Sequence, residues 1–212
     1  QKSDNLPKTM EKLESGEDLD VVVFGDSICC GANASGYGTL NVAPYCPNWF
    51  DITFEYLESQ YNVDITYENP SIGGMMSDWG VTKAAEFFEG KTPDLVIVGF
   101  GMNDGAAGVS CDTYQANIES IIETIKENSP DCEIILISTM LQNPDWPTPT
   151  QVQADYLPIL NSLEGEGCVV ADVTSVHSYI MQRKRYVDMT GNHVNHPNDY
   201  LVRLYAQIMI EL

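Results

Sequence analysis

The sequence predicts one α/β domain built around a parallel β-sheet. Short apolar runs alternate with longer amphipathic runs along the chain, which is typical of parallel strands joined by helical crossovers. The apolar runs are rich in β-branched residues and almost continuously apolar, as expected for strands covered on both faces. The length of 212 residues suits one domain with a large core rather than two domains.

Five apolar runs are the predicted strands: LDVVVFG (19–25), VDITYEN (63–69), DLVIVGF (94–100), EIILIST (133–139) and CVVADV (168–173). Helices are predicted near 47–60, 77–89, 113–128, 151–164, 175–184 and 198–211. The third helix is the best marked, because isoleucines repeat at helical spacing and Asp112 with Gln115 forms a candidate capping box. The segment 141–151, which contains three prolines, predicts a loop.

We expect residues 1–18 to be a leader segment that precedes a single domain over 19–212. The leader lacks the apolar core of a signal peptide, and the chain begins with Gln1. We therefore expect either a chain left after processing or one part of a longer multidomain protein. The six cysteines do not decide the compartment.

The charge balance excludes some classes of partner. The chain has 10 Lys and Arg against 31 Asp and Glu, a net charge of −21. Such a surface repels nucleic acid phosphates and anionic lipid heads, and no apolar run is long enough to cross a bilayer. We expect neither nucleic acid nor a membrane as a partner, whereas small neutral molecules and carbohydrates carry no such penalty.

Polar residues follow three of the predicted strands. Ser27 follows the first, the segment NPSIGG (69–74) the second, and GMND (101–104) the third. Ligands of open parallel sheets bind beyond the carboxyl ends of the strands, where the strand order reverses. In a sheet of order 2-1-3-4-5, Ser27 and Asn103 would emerge side by side, which predicts a site at this edge.

Ser27 is a candidate nucleophile, and a serine nucleophile needs a base, most often histidine. The histidines are His177, His193 and His196. His177 lies within a helical pattern, where a structural or exposed position is expected. His196 directly precedes Pro197 and the last predicted helix, so its loop can be rigid. Considered alone, a loop histidine is more simply a surface residue without a role.

The same strand ends offer donors for an oxyanion. They are the backbone N–H of Gly73 or Gly74, the carboxamide of Asn103, and the backbone N–H of Ser27 if it begins a helix. Each has an ordinary explanation, because Gly-Gly and Asn-Asp-Gly are common turns. Their occurrence in this order at three strand ends favours a shared site.

These segments resemble the GDSL, or SGNH, hydrolase family. FGDSI (24–28), NPSIGG (69–74), GMND (101–104) and NHP (195–197) occur in the family's order across nearly the whole chain. The resemblance implies a flavodoxin-like three-layer α/β/α sandwich. It also implies that Ser27 is the nucleophile and His196 the base, with Ser27, Gly74 and Asn103 as the oxyanion donors.

One position departs from the family pattern. The family usually has an aspartate three residues before the histidine, and this chain has His193 there. A histidine cannot act as that anion. Three replacements are open: a backbone carbonyl near His193 that supports a Ser–His dyad, Asp188, or Asp199. We favour the dyad, with Asp188 next.

Two other chemistries are less favoured. Cysteine nucleophiles are the first: only one residue can occupy the turn at the strand's end, so we expect Cys29 and Cys30 to pack behind Ser27. A zinc site is the second alternative; its candidate ligands are Asp188, His193, His196 and Asp199. His-x-x-His in a loop lacks the helical spacing of known zinc motifs, so we expect no metal and no other cofactor.

The sequence thus predicts a serine esterase for small acyl esters, acetyl esters of a neutral carbohydrate above all. The loops 31–50 and 143–150 mix Tyr, Trp, Asn and Pro, which suits sugar faces, although Trp49, Trp79 and Trp146 have equal claim to be packing residues. Arylesterase, thioesterase and lysophospholipase activities remain alternatives. A catalytically degenerate carbohydrate-binding domain is another.

Overall fold

A five-stranded parallel sheet forms the centre of the computed structural model, which describes residues 2–38, 41–147 and 151–212. The strands are β1 (Leu19–Gly25), β2 (Ile65–Glu68), β3 (Leu95–Gly99), β4 (Glu133–Ser138) and β5 (Cys168–Asp172). They pair in the order β2-β1-β3-β4-β5, and every pairing is parallel. The predicted fold class and strand order are confirmed.

The described residues form eight α-helices around this sheet. They are α1 (Pro7–Ser15), α2 (Trp49–Tyr61), α3 (Ser77–Phe87), α4 (Met102–Ala107), α5 (Cys111–Asn128), α6 (Leu157–Ser162), α7 (Val173–Met181) and α8 (Asp199–Ile210). None of these helices is long and apolar enough to cross a membrane.

The helices cover both faces of the sheet and make two apolar cores. On one face, Val21 and Val23 of β1 pack with residues of α1, α2 and α8. On the other, Val22 and Phe24 pack with residues of α3, α5 and α6. The side chains of β1 alternate between the two cores because successive residues of a strand point to opposite faces. The result is the expected three-layer sandwich.

The edge strand β2 differs from the other strands. Three of its four residues are exposed, whereas every residue of β3 and β4 is buried. It pairs only with β1 among the described strands. The polar residues that alternate in this run, Thr66 and Glu68, suit an edge that faces water on one side.

Residues 2–18, predicted as a leader segment, pack on the sheet domain. Leu6 and Leu13, at the start and near the end of α1, are buried in the same core as β1. The backbone N–H groups of Lys8 and Thr9 donate to the carboxylate of Glu133 at the start of β4. The apolar spacing of Leu6, Met10 and Leu13 is the signal for this amphipathic helix.

Three other helical details differ from the sequence prediction. The GMND turn is the start of a short helix, α4, which follows Gly101 with its left-handed φ of 125°. Helix α5 begins two residues early, and its cap is the Ser110 hydroxyl, which accepts from the Thr113 N–H, rather than the Asp112 capping box. The helix predicted over 151–164 is divided into a 3-10 turn, Gln153–Tyr156, and α6.

Candidate active site

Ser27 lies immediately beyond the carboxyl end of β1, where two strands come unusually close. A Cβ atom at Gly25 would lie 2.1 Å from the carbonyl oxygen of Gly99, so only glycine allows this approach. The Asp26 N–H donates to the same oxygen at 3.2 Å. The Asp26 carboxylate then accepts from the Ile28 N–H at 2.9 Å, and this bond turns the chain so that the buried strand ends at the serine.

A series of hydrogen-bonded turns, and not a helix, follows Ser27. The Cys30 N–H donates to the carbonyl of Asp26, and the Ala32 N–H donates to the carbonyl of Ser27. The segment is therefore wound tightly but irregularly. Ser27 itself is 8 % exposed, so little of its surface is open to solvent.

The Ser27 hydroxyl oxygen lies 2.8 Å from Nε2 of His196. These residues are 169 positions apart in the chain, and the structure brings them together as the sequence predicts. Burial lowers the pKa of the His196 imidazole below its ordinary value, because the charged ring is poorly solvated there. At neutral pH the ring is therefore uncharged and able to accept a proton.

The side chain of Asn192 stabilises the loop that carries His196. Its side-chain oxygen accepts hydrogen bonds from three successive backbone N–H groups, those of Val194, Asn195 and His196. The Gly191 N–H donates to the His196 carbonyl at 3.0 Å. Pro197 is buried, and the Asn198 side chain caps α8 directly after it. These bonds fix the loop that carries the His196 imidazole and leads into α8.

The three groups considered as replacements for the missing aspartate form hydrogen bonds with residues other than His196. The Asp188 carboxylate pairs with the Arg185 guanidinium at 2.8 and 2.9 Å. The Asp199 carboxylate accepts from the N–H and the hydroxyl of Ser35, both at 2.7 Å. The His193 carbonyl accepts from the Asn143 side chain at 2.7 Å.

The second ring nitrogen of His196 instead meets two asparagines. Its Nδ1 lies 2.9 Å from Oδ1 of Asn33 and 3.0 Å from Nδ2 of Asn192. Sequence reasoning missed Asn33, because nothing in the segment GANASG (31–36) links it to a histidine 163 positions away. The hydrogen-bond acceptor at Nδ1 therefore comes from the first loop of the chain.

Two unoccupied backbone donors lie beside Ser27. Within the described residues, no acceptor receives the N–H of Ser27 or that of Gly74. Gly74 has a φ of 81°, which favours glycine. A Cβ atom at neighbouring Gly73 would lie 3.6 Å from Cβ of Ser27, so this glycine loop lies against the serine. The loop is fastened to β1 by the Ser71 hydroxyl, which accepts from the Gly25 N–H.

The Asn103 carboxamide is held at the same edge. Its Nδ2 donates to the Met75 carbonyl at 2.9 Å and lies 3.5 Å from the Asp26 carboxylate. The first contact is a good hydrogen bond, and the second is at the long limit of one. One amide hydrogen therefore orients the side chain, and the other remains weakly engaged.

A family comparison matches this arrangement. The model of the GDSL-like lipase/acylhydrolase family matches residues 23–203, which run from β1 into α8. The chain belongs to this family. The family's description names lipases and acylhydrolases.

Relatives of this GDSL-like chain include an arylesterase from Vibrio mimicus. It is 26 % identical over 117 residues, which are 55 % of this chain and 54 % of the relative. The chain thus spans about half the length of the curated relative that it matches.

Solved structures share the fold of the GDSL-like chain at low identity. A two-domain esterase active on acetylated mannans has a TM-score of 0.74 and 22 % identity, over 99 % of this chain and 53 % of that one. Axe2, an acetylxylan esterase from Geobacillus stearothermophilus, has a TM-score of 0.73 and 17 % identity, over 91 % and 93 %. These likenesses establish the fold.

The two cysteines after Ser27 are thiols within the packing. The Cys29 thiol is buried and donates to the Gly99 carbonyl at 3.5 Å, and burial raises its pKa well above the ordinary value. The Cys30 thiol donates to the Ser71 carbonyl at 3.2 Å, and burial also raises its pKa. Both environments disfavour the thiolate that a cysteine nucleophile requires.

The four residues considered as zinc ligands do not form one cluster. Within the parts of the chain that the structure describes, no group of three or more His, Cys, Asp or Glu side chains is placed to hold a metal ion. His177, the third histidine, is fully buried in α7, and its Nδ1 accepts from the Leu141 N–H. Its role is structural.

Two loops of the GDSL-like chain border the His196 loop and carry exposed aromatic rings. The first joins it through Ser35 and Asp199 and carries Tyr37 and Tyr45, which are 39 % and 59 % exposed. The second joins it through the N–H of Asn143, which donates to the Val194 carbonyl, and carries Trp146, 45 % exposed. Residues 39–40 and 148–150 of these loops lie outside the described residues.

The other two tryptophans pack against apolar side chains of the domain. Trp49 is fully buried, and its indole N–H donates to the Ile28 carbonyl. Trp79 packs against Phe24 and Phe100. The prediction that aromatic residues border the site therefore applies to Trp146 alone among the three tryptophans.

Proposed function

We propose that the chain is a serine esterase for small acyl esters, and specifically for acetyl groups on carbohydrates. Ser27 is the nucleophile and His196 is the general base and acid. The observation that carries the proposal is the 2.8 Å contact between the Ser27 hydroxyl and Nε2 of His196, beside two backbone N–H groups without acceptors in the described residues.

In the acylation step, Nε2 of His196 takes the hydroxyl proton while the Ser27 oxygen bonds to the ester carbonyl carbon. The electrons of the carbonyl double bond move to its oxygen and form an oxyanion. When the tetrahedral intermediate collapses, the carbon–oxygen bond to the alcohol breaks. The proton on Nε2 passes to the departing alcohol, and the acyl group stays on Ser27.

Three donors stabilise the oxyanion in this proposal: the backbone N–H groups of Ser27 and Gly74 and the second amide hydrogen of Asn103. Both backbone groups lack acceptors in the described residues. The Asn103 amide is oriented in advance by the Met75 carbonyl. Donors that are fixed before the reaction cost no reorganisation when the charge develops.

Water completes the cycle by the same route. His196 removes a proton from the water as its oxygen attacks the acyl carbon of acyl-Ser27. Collapse of the second tetrahedral intermediate breaks the bond to the Ser27 oxygen, which regains its proton from Nε2. The products are the free acid and the original enzyme.

Acetylated carbohydrate is the substrate class that the surroundings favour. A net charge of −21 disfavours anionic substrates, and exposed Tyr37, Tyr45 and Trp146 offer flat apolar faces in loops that otherwise contain polar residues. Two structural neighbours are described as active on acetylated mannans and as an acetylxylan esterase. The relative described as an arylesterase favours a second candidate, aryl ester hydrolysis.

Hydrolysis of p-nitrophenyl acetate tests the nucleophile. We expect Ser27→Ala to abolish hydrolysis and labelling by a fluorophosphonate, while Ser178→Ala, an exposed serine on α7, retains both. Equal rates for the wild type and Ser27→Ala would refute the assignment. A folded wild type that hydrolyses no ester but still binds oligosaccharides would indicate the degenerate binding domain.

A substrate panel separates the two candidate specificities. The panel contains acetylated manno- and xylo-oligosaccharides, phenyl acetate, and p-nitrophenyl esters of two, four, eight and twelve carbons. We expect acetate release from the oligosaccharides to have the highest kcat/KM, with a steep fall as the acyl chain lengthens. Higher kcat/KM for phenyl acetate would favour the arylesterase, and preference for long acyl chains would contradict the proposal.

A further inference from the structure

We propose that Asn33 is the positioning residue of His196 and takes the place of the missing acid. The inference rests on the proposed function, since it assigns a partner to the proposed base. Oδ1 of Asn33 lies 2.9 Å from Nδ1 of His196, on the side of the ring opposite the Ser27 hydroxyl. The carboxylates considered from the sequence are occupied by Arg185 and Ser35 instead.

The chemistry of this contact selects the productive tautomer. A carboxamide oxygen only accepts hydrogen bonds, so it favours the ring with a proton on Nδ1. The lone pair is then on Nε2, which faces Ser27 and can take its proton. An asparagine supports a catalytic histidine in the Cys-His-Asn arrangement of another enzyme class, so a neutral amide is chemically sufficient.

The backbone and the neighbouring loop hold Asn33 in place. Asn33 has a left-handed φ of 71°, which asparagine tolerates better than most residues. A Cβ atom at Gly191 would lie 2.6 Å from Cβ of Asn33 and 2.8 Å from its Nδ2. Because Gly191 has no side chain, Asn33 can reach between it and the His196 ring.

Asn192 makes the role of Asn33 more specific, because it favours the opposite tautomer. The oxygen of Asn192 is taken by three backbone N–H groups, so its NH2 group must face the ring. That Nδ2 lies 3.0 Å from Nδ1 of His196. It donates to Nδ1 only when Nδ1 is unprotonated, and the proton is then on Nε2, facing Ser27, where the ring cannot act as a base.

Nδ1 of His196 therefore lies between an acceptor, the Asn33 oxygen, and a donor, the Asn192 NH2 group. The contact with Asn33 shifts the tautomer equilibrium of the ring toward the active form, which has its proton on Nδ1. Removal of Asn33 leaves the donor alone and favours the inactive tautomer. We expect Asn33→Ala to lower kcat for p-nitrophenyl acetate by about 10²- to 10⁴-fold, the upper value being that of a triad with the wrong tautomer.

A compensating variant distinguishes this role from a structural one. In Asn33→Ala/Asn192→Asp, one carboxylate oxygen keeps the three backbone bonds, and the other replaces the NH2 group that contacts Asn195 Oδ1 and His196 Nδ1. The Asn195 amide can turn its NH2 group toward this oxygen, which then accepts from both partners. We expect kcat of the double variant to be at least tenfold higher than kcat of Asn33→Ala. Asn62→Ala is the matched control, because Asn62 also has a left-handed φ, 56°, but ends α2 away from the site; it should retain kcat.

Asn33→Asp provides the readout by pH. A carboxylate at Nδ1 stabilises the imidazolium, so the acid limb of kcat/KM should move to higher pH by about 1–3 units. Nitrogen NMR of the histidine ring, without substrate, should show the proton on Nδ1 in the wild type and on Nε2 in Asn33→Ala.

Each result is decisive. Near-wild-type kcat in Asn33→Ala, no recovery in a double variant whose circular dichroism and melting temperature match the wild type, or an unchanged pH profile in Asn33→Asp would overturn the inference. Those results leave the proposed function intact if Ser27→Ala is still inactive. If Ser27→Ala is active, the proposed function fails, and the NMR tautomer alone decides whether Asn33 orients the ring.

Discussion

The carboxylate of Asp104 accepts hydrogen bonds from both the backbone N–H and the hydroxyl of Ser77. Asp104 is completely buried next to Asn103, and Ser77 begins α3 just after the glycine loop. The Asn117 side chain donates to the same hydroxyl. These bonds join the segment after β3 to the segment after β2, and so keep the proposed oxyanion donors in register.

Asp104→Ala should lower the free energy of unfolding by about 2–3 kcal/mol, because it leaves the buried N–H and hydroxyl of Ser77 without their acceptor. Urea denaturation measures the change. Glu123→Ala, on the exposed side of α5, is the control and should change stability by less than about 0.5 kcal/mol. Equal midpoints for the two variants would show that the Asp104 bonds contribute nothing net.

Asp188→Asn should leave kcat/KM for p-nitrophenyl acetate unchanged, because the carboxylate pairs with exposed Arg185 rather than with His196. Loss of a triad aspartate to asparagine costs about 10⁴-fold in kcat through the wrong tautomer. Steady-state kinetics at a single pH is therefore sufficient. A loss of even a hundredfold would make Asp188 the partner of the histidine after all.

The pH dependence of the wild type should reflect the burial of His196. Since burial lowers its pKa, the neutral base persists as pH falls, and the acid limb of kcat/KM should have its midpoint below about 6.5, the unperturbed value. The profile is measured with p-nitrophenyl acetate from pH 4 to pH 8 in buffers of constant ionic strength. A midpoint above that value would require an anion near the ring.

Trp146→Ala should raise KM for acetylated oligosaccharides by about tenfold, the loss expected for one exposed aromatic stacking contact. p-Nitrophenyl acetate has no sugar ring to stack on Trp146, so we expect its kcat/KM to stay the same. Tyr179→Ala removes an aromatic ring of similar exposure from α7 and should affect neither substrate. An equal loss of kcat/KM on both substrates would indicate that Trp146 supports the folded structure rather than sugar binding.

Asp26→Asn should remove a pH dependence of stability. Burial raises the pKa of Asp26 to about 7 in the native state, from 3.8, so between these values the folded chain keeps a proton that the unfolded chain loses. This group therefore stabilises the fold less as pH rises, by about 1.4 kcal/mol per pH unit in that window.

The comparison for Asp26→Asn is denaturation at pH 5 and pH 8. The variant should gain stability relative to the wild type at pH 8, because asparagine carries no charge into the interior. The Ile28 N–H keeps an acceptor in the amide oxygen. If the variant and the wild type differ in stability by the same amount at pH 5 and pH 8, the raised pKa of Asp26 is contradicted.

Strand positions were predictable because local composition determines them. Buried parallel strands are short and almost continuously apolar, so β1 was predicted at its observed ends, Leu19 and Gly25. The strand order followed from the positions of Ser27 and Asn103 together with the family pattern. The short helix α4 was not predicted, because Asn-Asp-Gly is a turn sequence; in the structure this segment is helical and its Met102 is fully buried.

Two arrangements depend on side-chain contacts that the sequence does not show. Residues 2–18 pack on the sheet, where Glu133 on β4 accepts from two backbone groups of α1. The carboxylate of Asp188, one of the three replacements considered for the acid, pairs with Arg185, three residues away. Sequence proximity is a poor guide for side chains in loops, because their directions depend on what each loop packs against.

The sequence by itself determined the strand positions, since apolar periodicity is a local property of the chain, and its short motifs predicted the strand order and singled out Ser27, Gly74, Asn103 and His196 as candidate site residues. Only the tertiary structure decided which group meets the far side of the His196 ring. That contact joins Asn33 in the first loop to a histidine before the last helix. It exists because Gly191 leaves space for it, and no local pattern records a space between two distant loops.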